Sequence, residues 1–475
     1  MLPLVDRIYI DGAFVEPHGR ELFDLFDPAT SEQIGQVRLA DEADVNAAVA
    51  SAARAFPQLA ASSKAERLDM LRRLGEALAA RREELIDATV REFGAPVTLA
   101  GWMADHAASV FGDVGKVLED YGFLRSAGTA DVVMTPLGVA GLITPWNGNA
   151  GTICGKLAAA IAAGCTTVIK PSELSALQTQ VVTRALHEAG LPPGVFNIIT
   201  GRGDVVGAAM VAHPGIAKIS FTGSTAVGKS ILRGAAETMK RVTLELGGKS
   251  PVLILEDADL STAVPMAIHA AFMNSGQACV AGTRLLVPAE RLGEVEAFAK
   301  AVAEGIPVGQ PADPATVIGP MVSAKQWDRV QGYIDLGIKE GARVVAGGPG
   351  HPEGLAGWFV NPTVFSDATN AMTIARDEIF GPVVTIIPYA DEEDAIAIAN
   401  DTAYGLQAYV FSADDARARR AAERIDAGRV LINTMMHEPA APFGGFKQSG
   451  LGREYGSFGL DAFLEPKALL GVRDA

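Results

Sequence analysis

The sequence predicts an α/β fold of two lobes, each built on a parallel-type sheet, with a small additional β segment. Three observations lead there. Between Val139 and Leu246, short apolar runs alternate with helical stretches across turns rich in Gly, Ser and Pro, the rhythm of βαβ units in a parallel sheet with helices on both faces. A second series of the same kind begins at Pro251 and continues to "RVLIN" near 432. A chain of 475 residues is also too long for one ordinary core, and a soft prior of about 150 residues per domain gives two to three domains.

In chain order, "IYIDGAFV" alternates around Asp11-Gly12, a pair that accepts the positive φ values of a type I′ hairpin. Helical periodicity dominates Asp41 to Leu118, most clearly in "DEADVNAAVASAARAF". The first strand series is "VAGLITP", "TTVIK", "VFNII", "AKISFT" and "RVTLEL". The second opens with strand "PVLIL", helix Leu260 to Met273 and strand "TRLLVP". Two consecutive series imply a cleft between lobes, a common place for an active site. The extended "LRSAGTADVVMTPLG" and the C-terminal "DAFLEPKALLGV" belong to neither series and are expected to form an interface with another subunit.

The net charge of −16 argues against nucleic acid or an anionic membrane as partner, because phosphate binding needs clustered Lys and Arg. Three cysteines, Cys154, Cys165 and Cys279, with no CxxC and no His/Cys cluster at ligand spacing, point to reduced thiols and no metal. The N-terminus carries charges where a signal peptide needs an apolar core, and the longest near-apolar run, 157–169, is too short to span a bilayer. A cytoplasmic location is expected.

Two turns between strand and helix are rich in glycine. "TGRGDVVG" includes Gly203 but has GxGxxxG spacing, a weak phosphate-loop signal; "FTGSTAVGKS" offers Gly223 and Ser224 beside free N–H groups at a helix start. "VIKPSELS" puts Lys170 at a strand's carboxyl end with Glu173 just beyond, where open α/β sheets bind ligands. Glu173 there accepts hydrogen bonds from a ribose diol and repels a 2′-phosphate, while Lys170 pulls the other way. The preference is for NAD, with NADP as the alternative; capping of the following helix is a competing role for Glu173.

Several motifs then coincide in order: "ITPWN", "KPSE", "FTGST", "LELGGKSP", "GQAC", "EIFGPV" and "PFGGFKQSGLGRE". Together they resemble the aldehyde dehydrogenase superfamily over nearly the whole chain. The resemblance implies a Rossmann-like NAD-binding domain (1–117 and 139–246), a catalytic domain (247–445) and an oligomerisation segment (118–138 and 456–475) of a homodimer or homotetramer. It implies oxidation of an aldehyde through a thioester on Cys279. Asn147 and the Cys279 N–H would hold the oxyanion, and Glu245 would activate the hydrolytic water. By the same match Glu378 would bond the nicotinamide ribose with Phe380 packed nearby, Trp146 and Ser224 would belong to the cofactor cleft, and Lys156 and Glu454 would relay the proton from Glu245. Members that transfer the acyl group to coenzyme A generally lack this glutamate, so a free acid is the expected product.

The chain departs from many relatives in "WNGNAGTICGK", where Gly148, Gly151 and Gly155 replace bulky side chains and should widen the substrate tunnel. Met273, Val280, Met436, His437 and Phe443 complete the expected pocket, and flexible methionines mould to varied apolar ligands. The expected substrate is larger than acetaldehyde, aromatic or a semialdehyde whose polar end meets His437 or Glu438. The alternatives are a coenzyme A-acylating or NADP-preferring relative, or a catalytically idle binding protein.

Overall fold

The computed structural model describes residues 2–471, so the last four residues of the expected oligomerisation segment lie outside the described residues. The α/β architecture is as expected, with parallel cores in both large sheets.

The first sheet has eight strands in the order Gly450–Leu451, Arg241–Glu245, Lys218–Thr222, Val139–Ile143, Thr166–Lys170, Phe196–Ile198, Ile8–Ile10 and Ala13–Val15. Its five central strands are parallel, and both edges are capped by antiparallel partners. Every residue of Val139–Ile143 and Thr166–Lys170 is buried, as strands covered on both faces must be. Strand order reverses on the two sides of Val139–Ile143: the chain next goes to Thr166–Lys170 on one side and later to Lys218–Thr222 on the other. Such a switch point opens a crevice beyond the strands' carboxyl ends.

The second sheet has seven strands, in the order Arg343–Ala346, Thr363–Ser366, Val383–Tyr389, Arg284–Pro288, Pro251–Ile254, Gln407–Phe411 and Arg429–Ile432. All its pairings are parallel except that of the edge strand Arg343–Ala346.

The helical region resolves into four helices, Glu42–Ala60, Lys64–Ala79, Arg82–Phe93 and Val97–Asp120. Asp41 starts the first with a capping box closed by Asp44. The Ala-rich helix Asn149–Ala163 packs against these helices and carries Cys154 into the core, with Cys165 just past its end; both thiols are fully buried. The two pieces left over from the series meet each other: the hairpin Leu124–Ala127/Ala130–Pro136 pairs antiparallel with Leu464–Leu469 in a three-stranded sheet. The start of "DAFLEPKALLGV" is not strand, because Asp461 ends the short helix Gly456–Asp461. A further sheet of Leu4–Val5, Gln33–Arg38 and Leu22–Phe26 was not expected. Among the described residues no helix is long and apolar enough to cross a membrane.

Candidate active site

The helix Leu260–Phe272 runs toward the crevice and stops at a turn in which Asn274, Ser275 and Gly276 take φ values of 53°, 56° and 72°. A Cβ on Gly276 would lie 2.1 Å from the Gly381 carbonyl carbon, so only glycine fits there. The turn is anchored from outside. The Ser275 hydroxyl accepts the Gly319 N–H at 3.0 Å, and the Gln277 side chain accepts the Val322 N–H at 2.9 Å while donating to the Pro320 carbonyl at 3.3 Å. Cys279 emerges from it half-buried and lines three adjoining cavities. Desolvation first, then the Glu378 and Glu245 carboxylates, push its thiol up to about 12; Arg429 and its own backbone N–H pull the other way.

Asn147 follows the strand Val139–Ile143 and faces Cys279 across all three cavities. Its amide donates one N–H to the Gln277 carbonyl at 2.9 Å, while the Asn274 amide donates to the Asn147 and Gln277 carbonyls, both at 3.1 Å. The first bond holds the Asn147 side-chain amide, which has a second N–H to offer, and the second holds its backbone carbonyl.

Glu245 closes the strand Arg241–Glu245. It is 2% exposed, and neither carboxylate oxygen has a hydrogen-bond partner among the described residues. Burial first and the neighbouring Glu454 second hold its carboxyl well above the ordinary value, with Lys156 and Arg453 opposing. A Cβ on Gly444 would lie 2.8 Å from one of its oxygens, so the glycine of "PFGG" leaves the carboxyl its space. Lys156 reaches from the helix Asn149–Ala163 to the Ser220 hydroxyl at 2.8 Å and forms an ion pair with Glu454, while Ser220 donates to Glu454 at 3.1 Å. Glu454 is set in place by reciprocal backbone bonds with Phe443 at 2.8 and 2.7 Å.

On the other side of Cys279, a cavity of about 320 Å³ is bounded by Trp146, Gly223, Ser224, Glu245, Glu378 and Phe380. Glu378 accepts the Gly248 N–H at 3.1 Å, and burial raises its carboxyl to about 7 against the pull of that N–H, Lys249 and Arg329. Phe380 sits at φ 64°, a strained position for a non-glycine, and meets the Trp146 ring edge-on at 5.4 Å. Ser224 caps the helix Thr225–Ala236. Beyond the switch point lies a cavity of about 680 Å³ lined by Trp146, Lys170, Gly203, Gly223 and apolar residues of two helices. Gly203 begins a π-helical turn, Gly203–Gly207, that explains the extra residue in its glycine spacing. Lys170 is buried, donates to the Pro171 carbonyl at 2.8 Å and pairs with Glu173 at 3.4 Å. Glu173 itself does not line that cavity, and the cap of its short 3-10 helix comes from Ser172.

On the substrate side, Gly148, Met273 and Val280 border both remaining cavities, of about 290 and 320 Å³. Gly155, Lys156, Met436, His437, Phe443 and Glu454 border only the second. The space opened by the glycines is approached by rings: a Cβ on Gly151 would lie 3.2 Å from His106, and one on Gly155 4.0 Å from Tyr455. Glu438 turns away and accepts the Ala440 N–H at 2.9 Å, so it is no part of the wall.

A sequence profile of the aldehyde dehydrogenase family matches residues 14–469. The chain belongs to the aldehyde dehydrogenase family. It is 45% identical to a 3-succinoylsemialdehyde-pyridine dehydrogenase of a Pseudomonas species, across 98% of both chains. Its structure is similar to that of a cysteine-to-alanine variant of aldehyde dehydrogenase C from Pseudomonas syringae in complex with NAD+ and octanal, with TM-score 0.97, 46% identity and coverage of 99% and 98% of the two chains. A Mycobacterium tuberculosis aldehyde dehydrogenase in complex with NAD+ is likewise similar, with TM-score 0.95, 40% identity and coverage of 99% of each chain.

In this aldehyde dehydrogenase family member every site residue singled out in the sequence borders one of the four cavities, except Glu173 and Glu438. Sequence reasoning missed Trp102 and His106 from the helix Val97–Asp120, Gln326 and Arg329 beside Glu378, and Gln407, Arg429 and Tyr455 beside Cys279. For Arg429 a signal existed: a cation heading the apolar strand "RVLIN".

Proposed function

We propose that the protein oxidises an aldehyde to its carboxylic acid with NAD+, by way of a thiohemiacetal and then a thioester on Cys279. The observation that carries this is a buried carboxyl, Glu245, with no hydrogen-bond partner among the described residues, bordering the same two cavities as Cys279, the only cysteine among the described residues that is not fully buried. The 680 Å³ cavity at the switch point has the size and place for a dinucleotide, and Glu378 with Phe380 and Trp146 fits its ring end. NAD+ bound there supplies the hydride acceptor. Cys279 gives its thiol proton to solvent, and the thiolate sulfur bonds the carbonyl carbon as the carbon–oxygen double bond opens to an oxyanion. The second N–H of Asn147 and the backbone N–H of Cys279 hold the resulting oxyanion. After oxidation, Glu245 takes a proton from water, the water oxygen bonds the acyl carbon, and the C–S bond breaks to release the acid. Glu454 and Lys156 then take the proton away from Glu245.

The NAD+ complexes of the similar structures, and a Glu173 carboxylate beside Lys170 that would oppose a 2′-phosphate, support NAD over NADP. The name of the Pseudomonas relative and the octanal complex of the P. syringae protein support a substrate larger than acetaldehyde, aromatic or a semialdehyde. We assign 1–117 and 139–246 to the cofactor domain and 247–445 to the catalytic domain, in keeping with the two large sheets. The three-stranded sheet, with Leu124 and Leu470 among the exposed apolar residues at its margins, is the proposed contact of a dimer or tetramer. A reducing, cytoplasmic setting accords with three unpaired thiols.

The test is a panel of aldehydes with the purified protein, followed at the NADH absorbance band with and without coenzyme A. NADH formed without coenzyme A, with free acid as product, is expected. A strict requirement for coenzyme A, or no NADH from any aldehyde, overturns the reading.

A further inference from the structure

Arg429 begins the strand Arg429–Ile432 and its guanidinium borders the same cavity as Cys279. It is a half-buried cation with no acidic partner within salt-bridge distance among the described residues, a costly arrangement unless something else completes it. Its side chain is nevertheless held in one place. The Nε donates to the Gln407 amide oxygen at 2.6 Å, one Nη donates to His437 Nδ1 at 2.7 Å, and the guanidinium lies over the Phe443 ring at 4.9 Å. Gln407 in turn donates to the Tyr409 hydroxyl, which donates to the Val280 carbonyl at 3.0 Å. This polar chain ties the cation rigidly to the residue after the nucleophile. His437 accepts from Arg429, and burial, Arg429 and His106 hold it down to about 4, so it stays neutral and supplies no charge of its own.

The two carboxyl groups of the cavity do not neutralise Arg429. Glu454 is engaged by Lys156 and Ser220, and burial raises the Glu245 carboxyl well above its ordinary value, which disfavours its charged form. Of the five N–H groups of a guanidinium, two are used, which leaves three for a ligand.

We propose that Arg429 is the specificity determinant for an aldehyde whose far end is a carboxylate, a dicarboxylic semialdehyde. The planar fork of a guanidinium matches a carboxylate in two parallel bonds, and one cation balances one negative charge. A phosphate ester, with its second charge, would be left facing Glu245 and Glu454. The neighbouring apolar cavity, lined by Phe93, Leu99, Trp102 and Met103, offers no such group, so the two arms of the substrate side differ in the end group they receive. This inference rests on the reading of Cys279 as the nucleophile.

The experiment compares kcat/KM for the four- and five-carbon dicarboxylic semialdehydes with kcat/KM for butanal and pentanal, as a ratio at equal chain length. In the wild-type protein the ratio is expected to exceed about ten, from one charge-assisted contact. Arg429→Leu is expected to lower it about 10- to 100-fold, chiefly through KM of the semialdehyde, and Arg429→Lys to restore part of it. Because Arg429 also acts on the Cys279 thiol, the ratio is the proper readout: a change in nucleophile reactivity alters both substrates alike and cancels. Arg429→Gln, which keeps a polar group beside Gln407, replaces the leucine variant if that does not fold. A wild-type ratio at or below one, or a ratio unchanged in Arg429→Leu, overturns the proposal while leaving the aldehyde dehydrogenase reading intact. No turnover of any aldehyde overturns both.

Discussion

Replacing Asn147 with alanine separates catalysis from folding, and the geometry sets the size of both effects. The side chain has two N–H groups; one is spent on the Gln277 carbonyl at 2.9 Å, and the residue borders the cavity of Cys279, where the second is proposed to act. Loss of one preorganised oxyanion donor costs about 2.7–4 kcal/mol of barrier, or about 10²–10³ in kcat/KM. The structural loss is much smaller, because the Gln277 carbonyl still accepts from Asn274 at 3.1 Å and is not orphaned. A net cost of about 0.5–1.5 kcal/mol is expected for the single lost bond. Asn147→Asp should be slower still than the alanine variant, since it sets a negative charge against the developing oxyanion. The assay is initial-rate NADH formation with a good aldehyde, paired with a thermal melt and with alkylation of Cys279 to show that the nucleophile remains intact. A loss of less than tenfold in kcat/KM refutes the assignment of Asn147 as an oxyanion donor. A fall in rate accompanied by collapse of the melt refutes the claim that the two effects separate.

Three further outcomes are expected. In the cofactor-free protein Cys279 is a thiol at neutral pH, because its value is raised to about 12; iodoacetamide labelling should climb throughout pH 7–10 without a plateau, and Glu378→Gln should shift the profile to lower pH by removing a nearby carboxylate. A labelling plateau below pH 8 in the wild type would show an activated thiolate instead. Glu245→Gln should form NADH for about one turnover and then stall with an acyl group on Cys279, seen as added mass on the intact chain, whereas undiminished steady turnover removes Glu245 from the mechanism. Glu173→Gln should raise NADP use relative to NAD, since a carboxylate no longer opposes a 2′-phosphate; an unchanged ratio leaves Glu173 as only the partner of Lys170.

The parallel sheets were legible because strands buried on both faces, such as "TTVIK" and "PVLIL", read as unbroken apolar runs. The sheet of Leu22–Phe26 and Gln33–Arg38 was not, because these strands are half-exposed and "LFDLF" shows no run of that kind. The site residues visible in the sequence sit within short motifs at strand ends or next to glycines, where backbone geometry leaves a mark. Gln407 and His106 leave none. Each belongs to an ordinary strand or helix start, or to a helix face, and becomes a wall only when elements far apart in sequence meet around Cys279. Glu173 shows the opposite limit: its position after a strand end was readable, but the side chain turns to Lys170 outside the cavity lining.

The narrow strand Gly450–Leu451 pairs with Leu244 and Glu245, and Glu454 beside it joins Lys156 across 298 positions of sequence. Contacts so distant form late, because a long loop must close before they contribute. During synthesis from the N-terminus, Cys279 leaves the ribosome long before the segment that walls its pocket has been made. A nascent chain that stops short of residue 450 therefore has a nucleophile but no finished chamber around it.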